Sequence, residues 1–145
     1  MTKLDNRDKL FVVWAFLFQG VLIVHFALRK PFFESYTVKY GWIVYALCIP
    51  AAVISIILLR GRKSWSFWLG GFLFLVYAAF GYWVDFVAQI PFRNPLQLSI
   101  VIPYVFLYLA TVMFYWWPLW RLNRLLWCAY AILYVIATIL NIRSH

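Results

Sequence analysis

Asp85 is the residue whose type and position most clearly indicate chemistry. It is one of only four acidic residues in the chain, and it stands near the end of a long apolar segment. An ionisable side chain inside a membrane-spanning segment is costly, and by default it indicates a proton site, a ligand contact or a structural ion pair. Arg93, Arg29 and Lys30 are the cations predicted to lie within its reach. The sequence therefore leaves both a functional site and an ion pair open for Asp85.

Asp85 also falls on a stripe of mostly small residues when the sequence is read at helical spacing. The stripe comprises Gly70, Phe74, Ala78, Gly81, Asp85 and Gln89. Small side chains on such a stripe allow a second helix to approach closely. Asp85 is therefore predicted to face protein rather than lipid, and its neighbours Tyr82 and Gln89 join it as candidate ligand contacts.

His25 is predicted on the same side of the membrane as Asp85. A histidine titrates near neutral pH and can hydrogen-bond a ligand. The competing interpretation is an interfacial residue that caps its helix or touches a lipid headgroup. A haem held by two axial histidines would need a second histidine at depth, and the other one, His145, is at the end of the chain. We therefore predict a ligand contact or an interfacial role for His25, and no haem.

Hydroxyl-bearing side chains recur at helical spacing in two segments near the end of the chain. One ladder comprises Tyr104, Tyr108, Thr111 and Tyr115, and the other comprises Tyr130, Tyr134, Thr138 and Asn141. Such faces either line a cavity for an amphipathic ligand or form interhelical hydrogen bonds in a closed bundle, each worth about 0.6–2 kcal/mol. The candidate ligand-binding residues are Asp85, His25, Gln89, Tyr82, Tyr104, Tyr108, Tyr130 and Tyr134.

The composition requires a membrane to hold these residues, because 67% of the chain is hydrophobic, 12% is charged and the mean hydropathy is +0.87. Apolar stretches of roughly 20 residues, the length of one helical span, separate the charges. We predict an all-α, polytopic transmembrane helix bundle in a single domain, with five spans near residues 10–28, 41–59, 66–87, 98–117 and 125–142. Four spans is the alternative, but Pro118 and the charged Arg121 and Arg124 disfavour one helix there.

Lys and Arg favour a cytoplasmic N-terminus, because that orientation places eight of them inside and five outside. The formal charge of +9 is spread over the helix ends rather than gathered in one stripe. We therefore predict contacts with anionic lipid headgroups, and no nucleic-acid partner. A bacterial or archaeal cytoplasmic membrane is the expected location.

Catalytic and metal-binding patterns are not found in the sequence. Serine, histidine and carboxylate residues have no coherent spacing, and no glycine-rich phosphate loop is present. Cys48 and Cys128 lie within predicted spans and form no CxxC pair. We predict neither a metal nor a cofactor, and an enzyme only if Asp85 and His25 converge.

Leu28-Arg29-Lys30-Pro31 follows the first span, and Leu140-Asn141 stands near the end of a chain that is 23% aromatic. With five spans, these residues resemble the family of tryptophan-rich sensory proteins and translocators. The resemblance implies a helix bundle that binds porphyrins or sterols. The chain departs from the family at Phe32-Phe33-Glu34-Ser35, where the family has a proline-rich continuation, and its third span lacks the family's asparagine and tryptophan pattern.

Three functions are compatible with these patterns. The first is a small membrane protein that binds, senses or transports a hydrophobic or amphipathic molecule in an aromatic-lined cavity. The second is an accessory or assembly subunit, whose small-residue stripe would pack on a membrane-protein partner. The third is an oligomeric ion or proton channel, although the centre of the third span, residues 72–80, contains one polar residue, Tyr77.

Overall fold

A computed structural model describes residues 4–29, 33–93 and 95–144, and for residues 33 and 34 the backbone alone. Five stretches are long and apolar enough to cross a membrane: Asn6–Arg29, Ser35–Arg60, Trp65–Val87, Leu98–Leu122 and Arg124–Arg143. The described part of the chain contains helices and turns, with one isolated bridge between Arg93 and Leu96. The predicted all-α bundle with five spans is confirmed, and the chain is an integral, multi-pass membrane protein.

Four spans are built on one long helix each. These helices are α1 (Asn6–Arg29), α5 (Trp65–Tyr82), α6 (Leu98–Leu122) and α7 (Arg124–Arg143). A π-helical turn, Trp83–Val87, continues α5.

The second span is composite and begins earlier than the predicted residue 41. It contains α2 (Phe33–Tyr40), α3 (Trp42–Ala46) and α4 (Cys48–Arg60). Pro50 explains the second break, because a proline ring clashes with the carbonyl of the residue four positions earlier and cannot donate to it. That residue is Ala46, the last residue of α3.

The fourth span ends later than predicted. Pro118 was expected to stop it near residue 117, but α6 continues through buried Pro118 to Leu122. The proline removes one hydrogen bond from the helix without ending it. Asn123 ends the helix, because its backbone adopts an extended conformation with φ −163° and ψ 129°. The Asn123 side chain then accepts a hydrogen bond of 2.8 Å from the Leu125 amide and so caps α7. The break between the last two spans therefore falls at a helix cap.

The spans form a closed ring in chain order, because α1 contacts both α4 and α7. The buried face of α1 repeats at three- and four-residue intervals, which is the pattern of a helix packed on one side. Aromatic side chains fill the centre of the ring, where the Phe18 ring lies 4.9 Å from Phe74 and 5.1 Å from Tyr115. All three are at most 1% exposed. The middle of the bundle is therefore packed.

Charged side chains connect the start of α1 to the segment after α4, at one end of the bundle. The Asp8 amide donates to the Asp5 carboxylate at 2.7 Å and the Asp5 amide to the Asp8 carboxylate at 3.3 Å, a reciprocal cap on α1. Lys63 lies 2.7 Å from Asp5 and 2.6 Å from Asp8. Arg62, with φ 55°, ends α4 in a left-handed turn that brings Lys63 to this position. We call Asp5, Asp8 and Lys63 the N-terminal clasp.

Gly71 is the position where the α4–α5 contact depends most on a missing side chain. A Cβ atom there would meet the Ser55 hydroxyl and lie 2.6 Å from the Ala51 carbonyl oxygen, whereas one at Gly20 would meet nothing within 4 Å. Gly71→Ala is expected to lower the free energy of unfolding by about 1–3 kcal/mol through overpacking. Gly20→Ala is expected to be neutral or stabilising by up to about 1 kcal/mol. Thermal unfolding in detergent measures both, and equal midpoints would contradict the close contact.

The N-terminal clasp also predicts a titration. Hydrogen bonds from Lys63 and the Asp8 amide lower the pKa of Asp5 from 3.8 to about 2. Because the folded pKa is depressed, the stabilisation is present above pH 3.8 and is lost as pH falls through about 2. In Lys63→Met the Asp5 pKa is expected to rise toward its ordinary value, measured by carboxyl ¹³C NMR. Lys9→Met, an exposed position in the same turn, is the control and should leave that pKa unchanged.

Candidate functional site

A cavity of about 430 Å³ lies at the opposite end of the bundle from the N-terminal clasp. We call it the main cavity. Its polar lining residues are Arg29, Tyr77, Arg93, Tyr104, Tyr108, Tyr134, Thr138 and Asn141. Its apolar lining residues are Phe26, Phe92, Leu96, Val101, Val105 and Leu109. Aromatic and aliphatic walls with a few converging polar groups are typical of small-molecule sites.

Helical periodicity explains which residues line the main cavity. The lining positions of α6 run from Val101 to Leu109 at three- and four-residue steps, so they cover one face over roughly 12 Å. The α7 positions Tyr134, Thr138 and Asn141 face them from the other side. Nearer the N-terminal end the two helices pack directly, with the Trp116 and Trp127 rings stacked at 4.9 Å. The main cavity is therefore the space between α6 and α7 beyond this contact.

The main cavity opens sideways to the surface of the bundle. Leu96, Val105 and Leu109 line it and are nevertheless 63%, 44% and 40% exposed. Val105 and Leu109 belong to the fourth span, and exposed apolar side chains within a span face lipid tails. A molecule dissolved in the bilayer can therefore reach the main cavity without crossing the packed centre.

Asp85 anchors a group of hydrogen-bonded side chains beside the main cavity. Its carboxylate accepts a hydrogen bond from the Tyr45 hydroxyl and lies 3.2 Å from Nη1 of Arg93. The Tyr104 hydroxyl lies 2.8 Å from that of Tyr45 and accepts from Tyr77 at 3.1 Å. We call these five residues the polar cluster. It joins the second, third and fourth spans to the segment before α6.

The π-helical turn sets the position of Asp85. It adds a residue to one helical turn, and such turns occur frequently at functional sites. Beyond it, Gln89 has φ 49°, and the Ile90 amide returns to the Val84 carbonyl at 3.1 Å. The helix therefore ends before Gln89, which is exposed and lies outside the main cavity. The predicted stripe of small residues continues as far as Asp85 but does not reach Gln89.

A second cavity of about 50 Å³ lies between the polar cluster and His25. Its walls include His25, Thr37 and Asp85, which places the two candidate residues on the same side of the bundle, as predicted. The Nδ1 atom of His25 lies 3.4 Å from the Tyr36 hydroxyl. The volume exceeds the roughly 10–15 Å³ that one water occupies, and polar side chains form part of the walls. His25 and Asp85 thus share a small space without contacting each other in any described hydrogen bond.

Arg29 joins the ends of the first and fifth spans. Its Nε donates to the Ser144 hydroxyl at 3.0 Å, and its Nη2 donates to the Asn141 side-chain oxygen at 2.5 Å. Arg29 is one of the cations predicted to pair with Asp85, but the ion pair of Asp85 is with Arg93. Lys30, the third predicted partner, lies outside the described residues.

The tyrosine ladders divide between the two interpretations that the sequence left open. Tyr104, Tyr108 and Tyr134 line the main cavity. Tyr130 is buried in the closed part of the bundle, where its hydroxyl donates to the Gln19 side-chain oxygen at 3.1 Å. That bond joins the first span to the fifth. Tyr82 is 48% exposed and lines neither the main nor the second cavity.

Tyr45 and Tyr77 are the site residues that the candidate set missed. The sequence held a signal for each, because Tyr45 begins a short polar face in the second span and Tyr77 is the one polar residue in the centre of the third. Their convergence depends on how the spans pack, which spacing along one helix does not reveal.

Arg93 is held in its charged form. Burial opposes the charge, but the Asp85 carboxylate, with smaller effects from Tyr104 and Tyr45, raises the pKa of Arg93 above its ordinary value. The guanidinium also lies 4.2 Å above the Phe92 ring. Arg93 therefore supplies a fixed positive charge to the wall of the main cavity. Among the described residues, no three His, Cys, Asp or Glu side chains converge as a metal site.

Comparisons with protein-family models, with curated proteins and with solved structures find no match to this chain. The family resemblance described above rests on the quoted residues alone.

Tyr45→Phe tests the polar cluster. It removes the hydroxyl that contacts Asp85 and Tyr104, and we expect a loss of about 1–3 kcal/mol in the free energy of unfolding because the carboxylate loses a buried donor. Tyr82→Phe is the matched control on the exposed surface and should shift the thermal midpoint little. A Tyr45→Phe protein as stable as the control would show that the Tyr45 hydroxyl contributes nothing.

Proposed function

We propose that this membrane protein binds a hydrophobic or amphipathic small molecule in the main cavity, in order to sense or move it. The proposal rests on the volume of the main cavity and on the side chains that line it. About 430 Å³ falls within the range of roughly 300–1,000 Å³ that ligand sites occupy. Rings supply contact area, and hydroxyl, amide and guanidinium groups at one end supply orientation.

The lateral opening favours a ligand taken from the membrane. Its rim is formed by exposed Leu96, Val105 and Leu109, all apolar. A soluble polar metabolite would meet no polar entrance at that rim, whereas a lipid-soluble molecule passes from one apolar environment to another. The membrane expected from the charge pattern is a bacterial or archaeal cytoplasmic membrane, with the main cavity opening toward its outer leaflet.

The channel hypothesis receives less support from this arrangement. A conducting path needs polar groups through the full depth of the membrane. Buried Phe11, Phe18 and Phe74 occupy the centre of the bundle. A single copy of the described chain thus offers a polar space at one end and an aromatic plug below it.

The accessory-subunit hypothesis rested on the small-residue stripe, and that stripe packs within the chain. Gly81 lies against the Tyr45 ring, and Gly70 lies against Phe114 and Tyr115. The close approach that small residues permit is therefore already used by neighbouring spans of the same molecule.

Filling the main cavity tests the proposal. Thr138 lines it and is half-buried, whereas the next residue, Ile139, is 45% exposed and lies outside it. Native mass spectra of protein extracted in mild detergent from its own membrane are expected to show a small molecule retained at fixed stoichiometry. Thr138→Trp should lose that mass and Ile139→Trp should keep it. Retention by a folded Thr138→Trp protein, or a wild-type protein that carries no small molecule, would contradict the proposal.

A further inference from the structure

Both charged side chains that line the main cavity among the described residues are cationic. Arg29 comes from the last turn of α1, and Arg93 comes from the segment between the π-helical turn and α6. Both arginines also line the second cavity, so they lie near each other. With the Asp85 carboxylate paired to Arg93, the three side chains carry an excess of one positive charge, which favours a bound anion.

Arg93 keeps hydrogen-bonding capacity for such an anion. A guanidinium has five N–H donors, and the Asp85 contact is made through Nη1 alone at 3.2 Å. The second carboxylate oxygen of Asp85 is occupied by the Tyr45 hydroxyl. Contacts with the Phe92 and Tyr104 rings, at 4.2 and 5.9 Å, hold the guanidinium plane in place. Asp85 thus positions Arg93 through one edge of the guanidinium.

Arg29 is positioned in a comparable way. Its hydrogen bonds to Asn141 and Ser144 tie it to the end of α7, and its guanidinium lies 5.0 Å from the Phe26 ring. Arginine binds carboxylate and phosphate oxygens through charge-assisted hydrogen bonds of good geometry. Two arginines held by protein contacts therefore form an anion-binding end before any ligand arrives.

Toward the other end of the main cavity, apolar side chains of α6 form much of the wall, beside Tyr108 and Tyr134. Below the arginines, Val101, Val105 and Leu109 follow one face of α6 over roughly 12 Å toward the middle of the membrane. The main cavity therefore has a charged head region near the membrane surface and an apolar groove beneath it, open to lipid.

On the basis of the proposed function, we propose that the main cavity holds an amphiphile with an anionic oxygen head group, a carboxylate or a phosphate. The head binds Arg29 and Arg93, and the apolar tail lies along α6. A single-chain acid and an anionic phospholipid share this chemistry.

The test uses two photoreactive probes of equal length, dodecanoate and dodecanol, each with a diazirine on the tail. The full-length protein is placed in phosphatidylcholine nanodiscs, and crosslinks are located by mass spectrometry in residues 98–109 and 134–141. Unlabelled dodecanoate and dodecanol then compete with the probes. Dodecanoate is expected to compete at least about ten times more strongly, because a hydrogen-bonded charge pair contributes more than a neutral hydrogen bond.

Arg93→Gln is expected to reduce that preference to less than about threefold, whereas Arg93→Lys should retain most of it because the charge remains. The double variant Asp85→Asn with Arg93→Gln removes the ion pair without leaving an unpaired carboxylate, and it should lose the preference as well. Arg121→Gln, an exposed cation at the other end of the bundle, is the matched control. Thermal midpoints show that each variant is folded.

Two results separate this proposal from the one on which it rests. Equal labelling by dodecanoate and dodecanol, or an unchanged preference in Arg93→Gln, would overturn the anionic head group and leave cavity binding intact. Labelling of the two lining segments by neither probe would overturn both proposals. Adding phosphatidylglycerol to the nanodiscs distinguishes the sources, because suppression of dodecanoate labelling indicates an anionic phospholipid and persistence indicates a single-chain acid.

Discussion

A carboxyl group in a membrane-embedded bundle needs partners from the protein, and the contacts of Asp85 organise the end of the molecule that contains the main cavity. Lipid offers it no hydrogen bonds, so its oxygens depend on Tyr45 and Arg93. These partners belong to the second span and to the segment before α6. The Tyr45 contact brings the second span against Gly81, and the Arg93 contact keeps the connecting segment over the bundle. The main cavity is the space that remains between this tied region and α7.

The spans were predictable because their signal is local. Apolar stretches bounded by charges predicted all five spans, although the second begins earlier and the fourth ends later than expected. The end of α6 was harder to predict, because a helix-breaking residue and a helix-capping residue both lie near it. Pro118 is the stronger helix breaker by residue type, yet Asn123 ends α6 because its side chain caps the next helix. The reciprocal cap formed by Asp5 and Asp8 has a readable signal, two acidic residues three positions apart before an apolar run.

The site was predictable only in part, because it depends on how helices rotate about their axes. The main cavity is lined by Tyr104 with Tyr108 and by Tyr134 with Thr138, the pairs that helical spacing grouped, whereas Tyr130 and Gln89 lie outside it. Tyr130 lies nearer the N-terminal end, in the region where α1 packs against α7 and fills the space. Asp85 lies within the π-helical turn Trp83–Val87, and the helix ends after that turn, so Gln89 falls off the predicted stripe. Neither effect has a signature in a single sequence.

The distribution of positive charge supports a binding role for the cavity arginines. The positive-inside rule favours cations at the predicted cytoplasmic end, and there they also have structural partners: Lys63 in the N-terminal clasp and Arg7 on the Gly61 carbonyl at 3.0 Å. Arg29 and Arg93 stand at the opposite end, which the charge count predicts to face outward, so each of them weakens that prediction. Both line the main cavity, where Arg93 pairs with Asp85 and Arg29 is hydrogen-bonded to Asn141. Two cations beside one apolar space are what the proposed anionic amphiphile would require.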